Sequence, residues 1–310
     1  DEYEAGILPG IEGHGCGAGA GRWSAPRRML KFIIFAICVG HSQLTPVCLK
    51  SAPARRHAAG LTIGFARDVP GGFDFSPTLL SSRPMRSLLH MPFDPGSRFI
   101  RLMLAEKGLA ARLVETPPWA AGSELAPHNP ALTIPVLIDE PPTGGEIPIS
   151  PSFAIADYLE EVYRDPALMP STSAGRAEAR RIGHWFESKF EKEVNRLIVR
   201  RRIDGRQQGR KWGEPEPVRD AADALAWHLD YISFLLERRL FLAGDRLSIA
   251  DLAAAAHFSV NDYFGLIPWS DFPEARAWYQ KMKSRPSMQP LLKEKLEGTP
   301  PAPHYADLDF

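Results

Sequence analysis

Apolar positions in this chain repeat with two different periods, and the change falls near residue 165. Before it the hydrophobic runs are short. Residues 86–91 alternate as a strand, and Asp94-Pro95 reads as a helix entry: Asp caps free amides, and Pro at the first helical position loses nothing by lacking an N–H. Phe99, Leu102, Met103 and Leu109 then mark one buried stripe, with Gly108 near its end. Further strands are predicted over 111–115, 135–139 and 146–149, with the turn Pro142-Thr143-Gly144-Gly145 before the last, followed by a helix over 151–163.

Beyond the break from Asp165-Pro166 to Pro170-Ser171, the period is helical throughout. Ile182, Trp185, Phe186, Phe190, Val194 and Ile198 predict one long helix over 174–202, and Ala221, Leu225, His228, Ile232, Leu235 and Leu236 a second over 217–240. Ser248 with Asp251 three residues on is a capping-box variant, and Ala253 to Ala256 behind it predict a helix buried on every side. Helices over 272–284 and 288–296 complete the set. The fold predicted is therefore α/β followed by all-α: a thioredoxin-like βαβ-ββα domain with a mixed four-stranded sheet over 85–164, a helical bundle over 174–297, and an extended tail over 298–310 that the fold does not need.

Residues 1–84 follow neither period and are rich in Gly, Arg and Pro. Their one apolar run, Phe32 to Val39 behind Arg27, Arg28 and Lys31, is too short to span a bilayer. It has the charge order of a secretory signal, but Met85 directly before the first strand favours reading 1–84 as a disordered or misassigned leader.

Composition narrows the function. The 310 residues are 44% hydrophobic and 24% charged, as in a soluble globular protein, and 37 basic residues balance 37 acidic ones. No global field draws in nucleic acid or an anionic membrane, so neither nucleic-acid binding nor membrane insertion is expected. Cys16, Cys38 and Cys48 all lie in the leader, which excludes a disulfide framework, a cysteine nucleophile and a cysteine zinc site from 85–310. The histidines have no ligand spacing, so no metal is expected, and no phosphate loop, dinucleotide glycine motif or nucleophile elbow is present.

Asn129-Pro130, the Ile134-Pro135 step into Val136–Asp139, Ser152-Phe153-Ala154-Ile155, and the run Gly244-Asp245-Arg246-Leu247-Ser248-Ile249-Ala250-Asp251 resemble the glutathione S-transferases over about 85–297. The resemblance implies a glutathione site with Pro135 in cis, Ile134 on the peptide backbone and Ser152 on the γ-glutamyl carboxylate. It also implies a hydroxyl or thiol just after the first strand, to hold the substrate thiol as thiolate. Here that turn reads Met91-Pro92-Phe93-Asp94-Pro95-Gly96-Ser97-Arg98. Phe93 has no donor and an ionised Asp94 repels a thiolate, which leaves Ser97 as a weak catalytic candidate. Pro151 stands where the family has an acid and brings no N–H. Ile134, Pro135 and Ser152 thus form a remnant glutathione site, and the residues argue against an enzyme. Glutathione is a cofactor only in the alternative reading, a transferase acting on small electrophiles.

Two features are surplus to that fold. Arg196, Arg200, Arg201, Arg202, Arg206, Arg210 and Lys211 form a dense cationic run, and the tail interleaves Tyr305, Leu308 and Phe310 with Asp307 and Asp309, either to fold back onto the body or to present its aromatics to a partner. With the opening His90 to Arg98, the tail resembles the transferase-like cell-division proteins of alphaproteobacteria. That likeness implies a non-enzymatic cytoplasmic homodimer that binds the tubulin-like FtsZ polymer at midcell, alters filament curvature or bundling, and influences envelope constriction. The partner-binding candidates are Trp119, Arg200, Arg201, Arg202, Tyr305, Asp307, Leu308, Asp309 and Phe310.

Overall fold

The computed structural model describes residues 86–310, save 121, 142, 201 and 204–215, and the expectations for 1–84 lie outside the described residues. Strand β1 (Arg86–His90) leads through helix α1 (Pro95–Glu106) to β2 (Arg112–Glu115), then β3 (Val136–Asp139), β4 (Ile147–Ile149) and α2 (Ser152–Val162). The sheet order is β2-β1-β3-β4. β1 runs parallel to β2, with Leu88 opposite Leu113, and antiparallel to β3, with Leu88 opposite Leu137. This is the mixed βαβ-ββα sheet the pattern predicts.

The helical half comprises α3 (Ser173–His184), a π-helical segment (Trp185–Asn195), α4 (Glu216–Leu236), α5 (Ile249–Tyr263), α6 (Pro273–Lys283) and the short α7 (Gln289–Lys293). The single helix expected over 174–202 is therefore divided. From Trp185 the turns widen, and the Arg196 N–H reaches back five residues to the Glu191 carbonyl. Widening shifts the face each side chain presents, which a fixed 3.6 period cannot anticipate.

All fifteen residues of α5 are buried, as the alanines of its first turns predict, and both α1 and α3 pack on it. Helix α5 is thus the shared core of the two halves. α3 also meets α2 closely: a Cβ at Gly183 would lie 2.5 Å from the Phe153 ring, which itself stacks on His184. Among the described residues no helix is long and apolar enough to cross a membrane.

Of the two readings for the tail, the structure has the one that folds back: Tyr305 is wholly buried against the bundle. The Tyr305 hydroxyl donates to the Leu291 carbonyl (3.1 Å) and accepts from Arg98 Nη1 (3.2 Å), and its ring packs edge-on against Tyr263. The Phe310 carbonyl accepts from Arg276 and from Gln280 Nε2, and its ring lies under Lys283 Nζ at 4.0 Å. Tyr305 and Phe310 are thus anchors rather than docking aromatics. Asp307 and Asp309 stay exposed, with Leu308 half-buried between them.

His90 and His228 are buried, and both imidazoles titrate near pH 4 instead of 6.5. Desolvation is the main cause at each, joined at His90 by the Arg101 charge. Trp185 Nε1 donates to His228 Nδ1 at 2.9 Å, which fixes the neutral tautomer with its proton on Nε2. A histidine whose folded pKa is depressed stabilises the fold above pH 6.5, and the contribution is lost as pH falls towards 4. A shift of this size corresponds to roughly 3 kcal/mol at each site. Urea midpoints of the wild type should therefore drop steeply between pH 6.5 and 4.5, and His228→Asn, which keeps an acceptor for Trp185, should flatten that slope. An unchanged slope would show that His228 is not the group titrating.

Candidate functional site

The remnant residues do come together. The Ile134–Pro135 bond is cis, and Pro135 Cδ lies 3.3 Å from where a Cβ on Gly96 would be. Gly96 belongs to the first turn of α1, whose cap is Asp94: its Oδ2 accepts the Ser97 N–H at 2.7 Å. Burial raises the Asp94 carboxyl above its ordinary range, against the opposing pull of Arg200 and of the Ser97 amide. Ser97 is fully buried, and its Oγ faces the Met91 N–H at a long 3.4 Å. Phe93 turns into the core, edge-on to Tyr263 and under the Arg98 guanidinium. No exposed hydroxyl follows β1.

Ser152 opens α2 and is buried, but its hydroxyl is already engaged: Ser152 Oγ donates to Glu187 Oε2. Glu187 comes from the π-helical segment in the helical half, and its other oxygen lies 3.0 Å from His257 Nε2. The proton assignment follows from one carbonyl. Asn261 Nδ2 lies 2.9 Å from the His257 carbonyl and must be the donor, so it also donates to Asn195 Oδ1 at 2.7 Å. Asn195 Nδ2 is then the donor to Glu191 Oε2 and to His257 Nδ1, which leaves the His257 proton on Nε2, pointing at Glu187. Burial by itself would raise the Glu187 carboxyl, but the hydrogen bonds from His257 and Ser152 and the charge of Arg200 hold it below its usual range.

Arg200 completes the network, Nη2 lying 3.2 Å from Asp94 Oδ1 and Nε paired with Glu191. Of the arginine run expected at the surface, Arg196 is exposed, and Arg206, Arg210 and Lys211 lie outside the described residues. Arg200 is bound by two carboxylates but its side chain stays 41% exposed, and Arg202 lies half-buried with its guanidinium over the Phe264 ring at 5.4 Å. Arg201 falls outside the described residues. Trp119 is exposed on the loop after β2, as a partner contact requires.

The site thus sets three carboxylates, of Asp94, Glu187 and Glu191, around one guanidinium and one imidazole. Negative charge disfavours a thiolate and raises the pKa of any thiol placed beside it. Glu187, Glu191 and His257 were not among the sequence candidates. Glu187 and Glu191 look like the solvated flank of an amphipathic helix, and only their position across from Ser152 and Asp94 gives them a role.

Fold and site together define a glutathione S-transferase scaffold. The family models for the glutathione S-transferase N-terminal and C-terminal domains match residues 95–162 and 213–286. FtsZ-localized protein A of Caulobacter vibrioides (strain NA1000 / CB15N) is 43% identical over 227 residues, 73% of this chain and 98% of the relative. The chain belongs to the glutathione S-transferase family. Among solved structures it is similar to FzlA from C. crescentus, with a TM-score of 0.69 at 42% identity over 73% of this chain and 99% of that one. It is similar also to a glutathione S-transferase from Rhodospirillum rubrum F11, with a TM-score of 0.69 at 41% identity over 73% of this chain and all of that one.

Proposed function

We propose that this chain is a non-enzymatic, dimeric transferase-like protein that binds the FtsZ polymer at midcell in the cytoplasm, alters filament curvature or bundling, and regulates envelope constriction. The observation that carries the reading is the 43% identity to FtsZ-localized protein A across 98% of that relative. The site chemistry supports it: no hydroxyl or thiol is presented after β1, and the carboxylates of Asp94, Glu187 and Glu191 gather around Arg200 and His257. A homodimer supplies two docking surfaces, which turns modest contacts into avidity along a polymer. Asp307, Leu308 and Asp309 offer an acidic and apolar step on a tail that Tyr305 and Phe310 fix in place, and Trp119 offers an exposed aromatic. Arg200 presents a part-exposed guanidinium to the partner while it holds Asp94 and Glu191.

Because Asp307 and Asp309 are exposed, replacing both by asparagine, which keeps the Asp307 acceptor for the Asp309 N–H, should shift thermal unfolding by no more than about 4 °C, as for two surface substitutions, yet abolish co-sedimentation with assembled FtsZ filaments. Pelleting equal to wild type would remove the tail from the interface.

The alternative reading, a transferase conjugating glutathione to small electrophiles, has one observation in its favour: the similarity to the R. rubrum glutathione S-transferase. It needs Ser97 or a backbone amide to stabilise the thiolate. Turnover of a chromogenic electrophile that Ser97→Ala eliminates would establish it.

A further inference from the structure

Ser152 and Glu187 pose a question that the polymer-binding reading does not answer. Two buried donors from different halves of the molecule, Ser152 Oγ and His257 Nε2, converge on the two oxygens of a single carboxylate. Ser152 is the first residue of the eleven-residue α2, so the carboxylate also sits at the positive end of a helix dipole. Arg200 lies near enough to favour its charge. Gly96 borders the remaining side: a Cβ there would lie 3.6 Å from Glu187 Oε2, at ordinary contact distance. Asp94 and Glu191 belong to the same network, and both are engaged by Arg200.

We propose that Glu187 is an internal ligand: its side chain fills a carboxylate-binding seat built by Ser152, His257 and the first turn of α2, and a free small carboxylate takes that seat once the Glu187 side chain is removed. In the intact protein the seat is closed to any carboxylate-bearing molecule, and its filling ties the thioredoxin-like half to the helical half. An ordinary structural ion pair would not behave this way. Its loss would leave a space that collapses or takes up water, indifferent to the anion present.

Truncation makes the test specific, because Glu187→Ala removes a group that is chemically acetate. Thermal unfolding of the full chain is followed in rising sodium acetate and in sodium chloride at matched ionic strength. Glu187→Ala should unfold several degrees below wild type. Acetate should restore at least half of that loss with saturation, chloride should not, and wild type should respond to neither. Adding Ser152→Ala to Glu187→Ala should abolish the rescue. Equal responses of wild type and variant, or no difference between acetate and chloride, would overturn the inference. Should Glu187→Ala not fold, Glu187→Gln and Ser152→Ala are compared singly and together. Acetate that stabilises Glu187→Gln no more than chloride does refutes the seat, and acetate-specific, saturable stabilisation of Glu187→Gln that Ser152→Ala removes supports it. None of these outcomes depends on FtsZ, so failure here and failure of the polymer-binding reading are distinguishable.

Discussion

Replacing Tyr305 by alanine is expected to destabilise the protein by about 3–5 kcal/mol, the usual cost of deleting a buried aromatic ring. Melting should fall by about 6–20 °C, at some 2–4 °C per kcal/mol for a chain of this size. Tyr305 is fully buried, packs on Tyr263, and offers its hydroxyl to Arg98, which is itself completely buried. Arg98 keeps its bonds to Ser259 Oγ, Glu294 and the Pro92 carbonyl, so the loss is chiefly one of packing. Tyr305→Phe should accordingly cost only about 1 kcal/mol, the net worth of an ordinary hydrogen bond. Circular dichroism melts of the two variants make the comparison. Near-equal melting temperatures would mean that the tail does not hold this position in solution. The consequence for function is direct. Deleting residues 299–310 removes a core residue, so lost binding in such a protein reports unfolding as much as a missing contact.

A comparable loss is expected from Asp251→Ala. The buried Asp251 carboxylate accepts from the Leu242 N–H (2.8 Å), the Ser248 N–H (3.0 Å), Ser248 Oγ (2.9 Å) and Trp278 Nε1 (3.1 Å). Burial pushes this carboxyl above its ordinary range in spite of those bonds, so keeping it charged is costly, and four donors depend on it. Each donor left unsatisfied costs about 1–3 kcal/mol. Together they approach the whole stability of a typical domain, about 5–15 kcal/mol. The variant should show no cooperative melt, whereas Ser248→Ala, which removes one donor and leaves the acceptor in place, should still fold. A cooperative melt near wild type for Asp251→Ala would show that the 241–251 turn is held by packing alone.

What the sequence made legible follows from how locally each signal is encoded. The Asp94-Pro95 entry and the Ser248 to Asp251 capping box are short-range chemistry, and both elements begin where those residues place them. The buried first turns of α5 followed from Ala253 to Ala256, which offer water no polar face, whereas His257, Ser259, Asn261 and Asp262 further on are buried through partners that the sequence does not show. Less was legible where meaning depends on what lies opposite. Arg200 read as surface charge until Asp94 and Glu191 stood beside it. Tyr305 and Phe310 read as docking aromatics because nothing local distinguishes a ring that folds back from one that reaches out. Glu187 sits at an unremarkable polar position, and its contact with Ser152 spans 35 residues and two halves of the fold.

The central claim is that a transferase scaffold without the means to stabilise a thiolate serves here as a docking surface for a polymer. Its most direct test is pelleting of the purified wild-type chain with assembled FtsZ filaments, in the presence and absence of excess glutathione. The account predicts that the chain enters the pellet to the same extent in both. A chain that stays in the supernatant with filaments present, or is displaced from them by glutathione, would contradict it.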